Sequence, residues 1–545
     1  MPDQAHVHSP PPAVSLPAAA PRVRRVAATA LDRIECAFDV AFGSRGNPWR
    51  RLGALAWFLF WVVAASGIYI YIGFDTRADG AYASVARLSE NAFPLGSLAR
   101  GLHRYASDAL ALIALLHLAR EWARGRYVHI RRFSWTTGIA ALWFVYLSGI
   151  GGFWLVWDGI AQYSLVATTE WLDALPSLGE LARNFDGGGK VTDRLFSLLA
   201  FLHIGIPLLL LAIMWLHLQR LSHVDTMPPR SLAFATLASL IMLAIAKPVA
   251  SVSPADLGSV PRDLPLDWFY LGVHAFADAA GAPMLWIVAI GSSAALIALA
   301  WVSRTARAPR PQAAVVDLAN CNGCGRCFAD CPYAAVTMAA RTDGRPHARA
   351  AVVDAVLCAG CGICAGACPS STPFRSAAEL ATGIDLPQAP IGALRRKLEA
   401  ALARMGSMPR TGAPHIVVFG CSAPIARTHD LHEAWLPLAC AAQLPPSFVE
   451  YALRAGADGV LVAGCRESDC AFRLGDVWTT RRFAGMREPR LREVVPRERV
   501  AIAWVGDDPR AFDDALARFR SSLVRAPRSP ASPPKRTEVL HADAR

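Results

Sequence analysis

Four stretches of the chain, residues 52–74, 133–157, 195–219 and 279–303, run without a single Asp, Glu, Lys or Arg. Each reaches the roughly 20 apolar residues that a helix needs to cross a bilayer, so each predicts a spanning helix. Residues 231–246 are apolar but shorter, and 102–118 are interrupted by Arg104 and Asp108. Hydropathy alone leaves those two open, and loop charge decides. Residues 120–132 hold five arginines against Glu121, whereas 158–194 hold six acids against three bases. The positive-inside rule puts the first loop in the cytoplasm and the second outside. Arg33, Arg45, Arg50 and Arg51 precede the first span, and Arg304, Arg307 and Arg310 follow the last. Both ends are then cytoplasmic and the number of spans is even. The expectation is a multidomain protein of the cytoplasmic membrane, bacterial or archaeal, with an all-α bundle of six transmembrane helices over residues 31–303.

Past the last span the pattern changes. "HIVVFGC", "GVLVAGC" and "RVAIAWVG" read as short buried strands, with helical stretches such as "SFVEYALRAGA" and "AFDDALARFRSSLV" between or after them. That alternation predicts a small α/β domain with a parallel sheet over 413–523, reached through a linker at 373–412 whose basic stretch Ile391–Met405 reads as helical. Residues 1–30, rich in Ala and Pro, and 524–545 read as flexible tails.

Composition agrees with a membrane protein: 54% of residues are hydrophobic and 18% charged, which excludes a wholly soluble, fibrous or disordered chain. The net charge of +12 reflects basic loops on one side of a membrane, so nucleic acid is not an expected partner. Of 13 cysteines, Cys36 alone precedes residue 300 and the other twelve lie between 321 and 470. On the cytoplasmic side, in a reducing compartment, such a cluster predicts metal binding rather than disulfides.

In the membrane part, His103 and His117 lie 14 residues apart in the second expected span, and His203 and His217 lie 14 apart in the fourth. At about 100° per residue, 14 steps make four turns less about 40°, so both histidines of a pair share one helix face. The rise of about 21 Å spans most of a roughly 30 Å hydrocarbon core. Two such helices offer two stacked His/His sites, which suit two b-type haems. Gly53 and Gly67 in the first span and Gly138 and Gly152 in the third repeat the spacing, and a missing side chain there lets a porphyrin edge approach the backbone. Any one of these residues alone has a bland reading as an ordinary membrane glycine or a hydrogen-bonded histidine. Four pairs at one spacing in successive helices do not.

With "GSLARGLHRYASDALALIALLHLAREWARGRY", "GGFWLVWDGIAQYS" and "FLHIGIPLLLLAIMWLHL", residues 31–303 resemble cytochrome b of the Rieske/cytochrome b quinol-oxidising complexes. The resemblance implies that His103 and His203 ligate the outer haem, His117 and His217 the inner one, and that Arg100 pairs with a haem propionate. A homodimer fits the same likeness. The family's outer quinol site uses Pro-Glu-Trp-Tyr, where this chain has Leu266-Asp267-Trp268-Phe269, and Val156 stands where the family usually has proline. Asp267 is therefore one candidate for proton exchange with quinol. His223, with Arg220 and Asp225 beside the inner haem, is the other.

Cys321, Cys324, Cys327 and Cys331 followed by Pro332 spell C-x2-C-x2-C-x3-C-P, and Cys358, Cys361, Cys364 and Cys368 followed by Pro369 repeat it. Four thiolates per motif suit cubane clusters far better than zinc. The segment 313–372 resembles a bacterial two-cluster ferredoxin of small α+β fold, in which the fourth cysteine of each run serves the other cluster. By that likeness Cys321, Cys324, Cys327 and Cys368 hold one [4Fe-4S], and Cys358, Cys361, Cys364 and Cys331 the other.

In the terminal domain Cys421 and Cys465 each close a strand, and Cys440 and Cys470 complete a set of four that suits a further iron-sulfur cluster or a zinc ion. "PPSFVEYALRAGADGVLVAGCRESDCAFRLG" resembles the delta subunit of methyl-viologen-reducing hydrogenase, which implies [2Fe-2S]. That family often begins its set with C-x-x-C, whereas Ser422, Ala423 and Pro424 follow Cys421 here. His274, His415, His429 and His432 lack ligand spacing and read as structural or solvated. The run "FDGGGK" lacks the strand-to-helix setting of a dinucleotide site.

Together these parts predict a membrane-bound electron-transfer subunit. It would link a cytoplasmic redox partner (a flavoprotein, a hydrogenase or a heterodisulfide-reductase-like protein) through iron-sulfur clusters and two b haems to quinone or quinol. One alternative is an anchor of a hydrogenase or heterodisulfide-reductase-like complex without its own quinone site. A redox sensor or assembly scaffold is another, against which stands the lack of a visible output domain.

Overall fold

The computed structural model describes residues 22–89, 94–175, 192–259, 264–303, 310–375, 380–408, 413–421, 433–525 and 538–541. Arg304, Arg307, the glycine run at 187–189, Ser422, Ala423, Pro424, His429 and His432 lie outside them. Two compact units result.

The membrane unit takes in residues 22–219 and 224–303. Its helices are α1 (Arg22–Gly46), α2 (Leu52–Ile72), α3 (Ala81–Leu88), α4 (Pro94–Ala123), α5 (Arg132–Trp154), α6 (Gly159–Asp173), α7 (Asp193–Leu218), α8 (Arg230–Ala246), α9 (Gly272–Ala280) and α10 (Ala282–Val302). Among the described residues four helical segments are long and apolar enough to cross a membrane, Pro48–Ile72, His129–Trp154, Asp193–Leu218 and Ala282–Val302. They coincide with the four uncharged stretches. The interrupted stretch is the 30-residue α4, continuous through its charges because Arg104 Nη1 donates to Asp108 Oδ1 at 2.8 Å one turn on. The short one is the 17-residue α8.

Packing follows the histidine and glycine pattern. Helix α2 lies along α4, and α5 lies along α7, so each glycine helix is paired with a histidine helix. Helix α1 begins inside the segment expected as a tail. It is tied down by the buried Glu35, which accepts from Arg120 Nε at 2.8 Å and Arg124 Nη2 at 2.7 Å, both on the α4 end.

The second unit holds residues 310–541 together with the turn Arg220–His223. It begins with β1 (Val315–Val316), α11 (Arg326–Asp330), β2 (Val336–Ala340), β3 (Arg349–Val353), α12 (Ile363–Ala367) and β4 (Ile384–Asp385). Strand β2 pairs with β3, and β1 with β4, both antiparallel. The two-fold repeat thus closes with a strand from the expected linker, because β1 takes its hydrogen bonds there. Helix α13 (Ile391–Gly406) follows, close to the expected basic helix.

Strands β5 (Ile416–Gly420), β6 (Glu433–Pro437), β7 (Gly459–Gly464), β8 (Val500–Trp504) and β9 (Glu538–His541) form one parallel sheet in the order β6-β5-β7-β8-β9, with α14 (Ser447–Arg454), α15 (Gly475–Phe483) and α16 (Pro509–Arg525) in the connections. Strand β9, which pairs with β8, falls in the expected C-terminal tail. Strands β5, β7 and β8 are buried throughout, which is why they read as continuous apolar runs.

Candidate functional site: four histidines and twelve cysteines

The four histidines meet the four glycines across the helix pairs. A Cβ built on Gly67 would stand 2.8 Å from His103 Cε1, and one on Gly152 would stand 2.9 Å from His203 Cε1. At Gly138 and Gly53 the distances to His217 and His117 Cε1 are 3.4 and 3.7 Å. A side chain at Gly67 or Gly152 would displace the imidazole, whereas the other two positions are in ordinary contact. The His103 and His203 rings stand edge-on to each other with centroids 6.1 Å apart.

Hydrogen bonds orient three of these rings. His103 Nδ1 lies 3.0 Å from Val63 O and His203 Nδ1 lies 3.0 Å from Ser148 O. Each carbonyl belongs to the residue four before the glycine beneath the ring. A carbonyl only accepts, so Nδ1 carries the proton and Nε2 keeps its lone pair, the state in which imidazole binds a metal. His217 Nδ1 is 3.0 Å from Thr137 Oγ1, whose own hydrogen goes to Phe133 O at 2.9 Å, so the hydroxyl accepts here too. Arg100 is buried, donates to Ser89 Oγ at 2.5 Å and Ser251 Oγ at 2.7 Å, and forms no ion pair among the described residues. A buried guanidinium without a carboxylate suits an acidic group from a ligand. These features fit haem: nitrogen donors with free lone pairs, bare backbone beside them and a buried cation that forms no ion pair among the described residues.

The two candidate proton exchangers belong to different units, Asp267 to the membrane unit and His223 to the second. Asp267 Oδ1 accepts from Phe269 N at 2.9 Å and from Tyr270 N, while Oδ2 pairs with Arg104. His223 Nε2 lies 2.9 Å from Ala329 O, and its ring stands edge-on to Trp478 at 5.5 Å. Asp225 pairs with Arg51 at 3.2 Å, largely in solvent.

In the two ferredoxin-like loops, Gly323 and Gly325 have φ of 68° and 76°, and Gly360 and Gly362 repeat this at 66° and 76°. Left-handed backbone at matching places turns each C-x2-C-x2-C run around its own centre. A cavity is lined by Cys321, Cys324, Cys327 and Cys368, three thiols of the first motif and the last of the second. Burial, with Cys324, Cys368 and Cys321 close by, pushes the Cys327 thiol up to about 12. Such a thiol ionises only beside a strong positive charge, which iron supplies. Cys364 has Cys361, Cys358 and Cys331 around it and is held well above the ordinary thiol range, mainly by burial.

The sheet order places β6 to one side of β5 and β7 to the other, so the chain direction switches between β5 and β7. Cys421 and Cys465 follow those two strands, at the carboxyl edge where such sheets bind ligands, and their sulfurs are 3.9 Å apart. Hydrogen bonds from the Cys421 and Cys470 thiols hold Cys465 well below the ordinary thiol range. A Cβ on Gly475 would collide with the sulfurs of both Cys440 and Cys470. That glycine, Thr137 and Arg482 carry no motif, and sequence reasoning did not single them out.

The family described as cytochrome b/b6/petB matches residues 39–225, the 4Fe-4S dicluster domain matches 320–372, and the methyl-viologen-reducing hydrogenase delta subunit matches 431–525. Cytochrome b6 of Stigeoclonium helveticum is 30% identical over 171 residues, which is 30% of this chain and 78% of that protein. Cytochrome b6 of Tupiella akineta has the same identity and coverage. A solved chain of a hyperthermophilic respiratory Complex III has a TM-score of 0.40 and 19% identity, covering 46% of this chain and 74% of that one. The dicluster match implies [4Fe-4S] clusters and the cytochrome b match implies b-type haem, which makes this a membrane electron-transfer subunit. Since the matched region takes in both histidine helices and both glycine helices, and a 30% identical relative is covered over most of its length, the chain belongs to the cytochrome b/b6 family.

Proposed function

We propose that the chain carries electrons between a cytoplasmic redox partner and the quinone pool. The observation that carries this reading is the meeting of four histidines with four glycines on paired helices, with Nδ1 of three rings tied to an acceptor. His103 and His203 would hold one b haem, His117 and His217 a second, and Arg100 would neutralise a propionate. Cys321, Cys324, Cys327 and Cys368 would hold one [4Fe-4S] cluster, and Cys331, Cys358, Cys361 and Cys364 the other. Cys421, Cys440, Cys465 and Cys470 would hold a [2Fe-2S] cluster. Their sulfurs form a chain of neighbours, Cys421 beside Cys465, Cys465 beside Cys470 and Cys470 beside Cys440. A cluster, which spreads its ligands over two irons, suits that better than zinc.

Bound haem and iron-sulfur clusters supply reversible one-electron chemistry. The protein's part is to orient imidazoles and thiolates and to exchange the protons of quinol. For that exchange Asp267 has to leave Arg104, and His223 has only Nδ1 to offer. The bundle would span the membrane six times, with both termini and the iron-sulfur domains in the cytoplasm, and a homodimer fits.

An anaerobic visible spectrum of the purified oxidised protein, before and after adding a quinol, tests the reading. Growth of a reduced b-haem band is expected. The engagement of Asp267 by Arg104 and two amides favours a second reading, an anchor of a hydrogenase-type or heterodisulfide-reductase-type complex with no quinone site of its own. Haems that respond only to reductant fed through the iron-sulfur domains would make that reading the right one.

A further inference from the structure

Arg482 is a fully buried arginine that no part of the proposed function uses. Its guanidinium donates to Ala442 O at 2.7 Å and Ile363 O at 3.3 Å, and it pairs with Asp330 Oδ2 at 2.5 Å. Ile363 lies between Cys361 and Cys364, Ala442 lies two residues after Cys440, and Asp330 immediately precedes Cys331. One side chain therefore ties together the backbone of two cysteine sets. Asp330 also accepts from Arg487 Nε at 2.8 Å, its backbone carbonyl accepts from Trp478 Nε1 at 3.1 Å, and the Arg487 guanidinium lies 3.6 Å over the Trp478 ring.

The two sets are in direct contact. Cys361, Ile363, Cys440, Ala442, Cys470 and Trp478 form one buried apolar cluster. The backbones meet where side chains are missing: a Cβ on Gly366 would strike Ala442 O, and one on Gly362 would stand 2.8 Å from Gln443 Cγ. Arg482 Nε is buried without an acceptor among the described residues. An unpaired buried donor is costly, and a cluster sulfur or thiolate would satisfy it.

We propose that Arg482, held by Asp330, is a positioning residue that locks the Cys331/Cys358/Cys361/Cys364 cluster and the terminal cluster into one electron-exchange pair and raises their potentials. The inference rests on the cluster reading given above. In the exchange one cluster is oxidised by one electron and the other reduced by one, with no bond made and no proton moved. Positive charge in a site of low dielectric favours the reduced, more negative form of either cluster.

The test uses the full-length protein in detergent, wild type and the variants Arg482→Gln, Arg482→Lys and Asp330→Asn, each assayed for iron and acid-labile sulfide and then titrated under EPR. In the wild type the two reduced clusters are expected to broaden each other's signals through spin coupling, and unbroadened signals there would overturn the inference. Arg482→Gln, at full iron content, is expected to lose that coupling and to lower the reduced-to-oxidised ratio of the terminal cluster about tenfold at fixed poise, about 59 mV for one electron. Arg482→Lys keeps the charge and restores the ratio without the coupling. Asp330→Asn removes the opposing charge and raises the ratio. Full iron with unchanged coupling and ratio in Arg482→Gln overturns the inference. Should that variant lose iron, an unchanged ratio in Asp330→Asn overturns it instead. A wild-type chain without acid-labile sulfide would overturn the cluster reading underneath.

Discussion

At the scale of residues, the cytochrome part turns on what is missing from a side chain. Gly67 and Gly152 leave no room for a methyl group beside His103 and His203, whereas Gly53 and Gly138 leave ordinary contact. Gly67→Ala or Gly152→Ala should therefore lower bound haem from the proposed two per chain towards one, while Gly53→Ala leaves it unchanged; haem extracted and counted against protein checks this. Thr137 accepts the proton on His217 Nδ1, and such a bond raises the basicity of a ligating imidazole, which favours the oxidised iron. Thr137→Val keeps the shape and removes the acceptor. A hydrogen bond is worth about 1 kcal/mol, so one haem potential should rise by about 40 mV, as a redox titration followed in the visible would report. The histidines, the glycines and the eight ferredoxin cysteines are legible from spacing alone. Thr137 and Gly475 are not, since each matters only through a residue far away in sequence that folding brings beside it.

Elements show how local rules were overridden. Helix α4 runs on through Arg104 and Asp108 because the two charges satisfy each other, a pairing that hydropathy does not weigh. The ferredoxin-like repeat borrows β4 from the linker, and Asp385 at its end accepts from Ile391 N at 3.0 Å, capping α13 from a distance. Loss of a cap costs roughly 1 kcal/mol, so Asp385→Ala should unfold this region at lower temperature, followed by bleaching of iron-sulfur absorbance on heating. Burial raises the Asp385 carboxyl above its ordinary value. The folded state then binds its proton more tightly, so its contribution is fully present below the unfolded value of about 3.9 and is lost as pH rises through the folded one. Asp385→Asn should flatten this part of the stability profile in the acidic range, read as the midpoint of the same bleaching curve from about pH 4 upward.

For the whole molecule, the swapped fourth cysteine makes a sharp prediction. The cavity lined by Cys368 with three thiols of the other motif implies that Cys368→Ser disturbs the first-motif cluster and Cys331→Ser the second, so the EPR signal altered by Cys368→Ser should match that of Cys324→Ser. If quinone reacts near the outer face, each electron crosses most of the membrane potential, worth about 2.3 kcal/mol per 100 mV, and haem reduction by quinol in sealed vesicles should then respond to an imposed potential. The sequence by itself determined the apolar spans, the four histidines and four glycines at one spacing, the two cysteine motifs and three strands of the parallel sheet. Each of those is a periodicity or a short-range motif, written in neighbouring residues. Only the tertiary structure decided that α2 pairs with α4 and α5 with α7, that Cys421 and Cys465 meet at the switch point of the sheet, and that Arg482 binds the loops of two cysteine sets. Those depend on contacts between segments tens to hundreds of residues apart, which packing and buried charge select and no local pattern encodes.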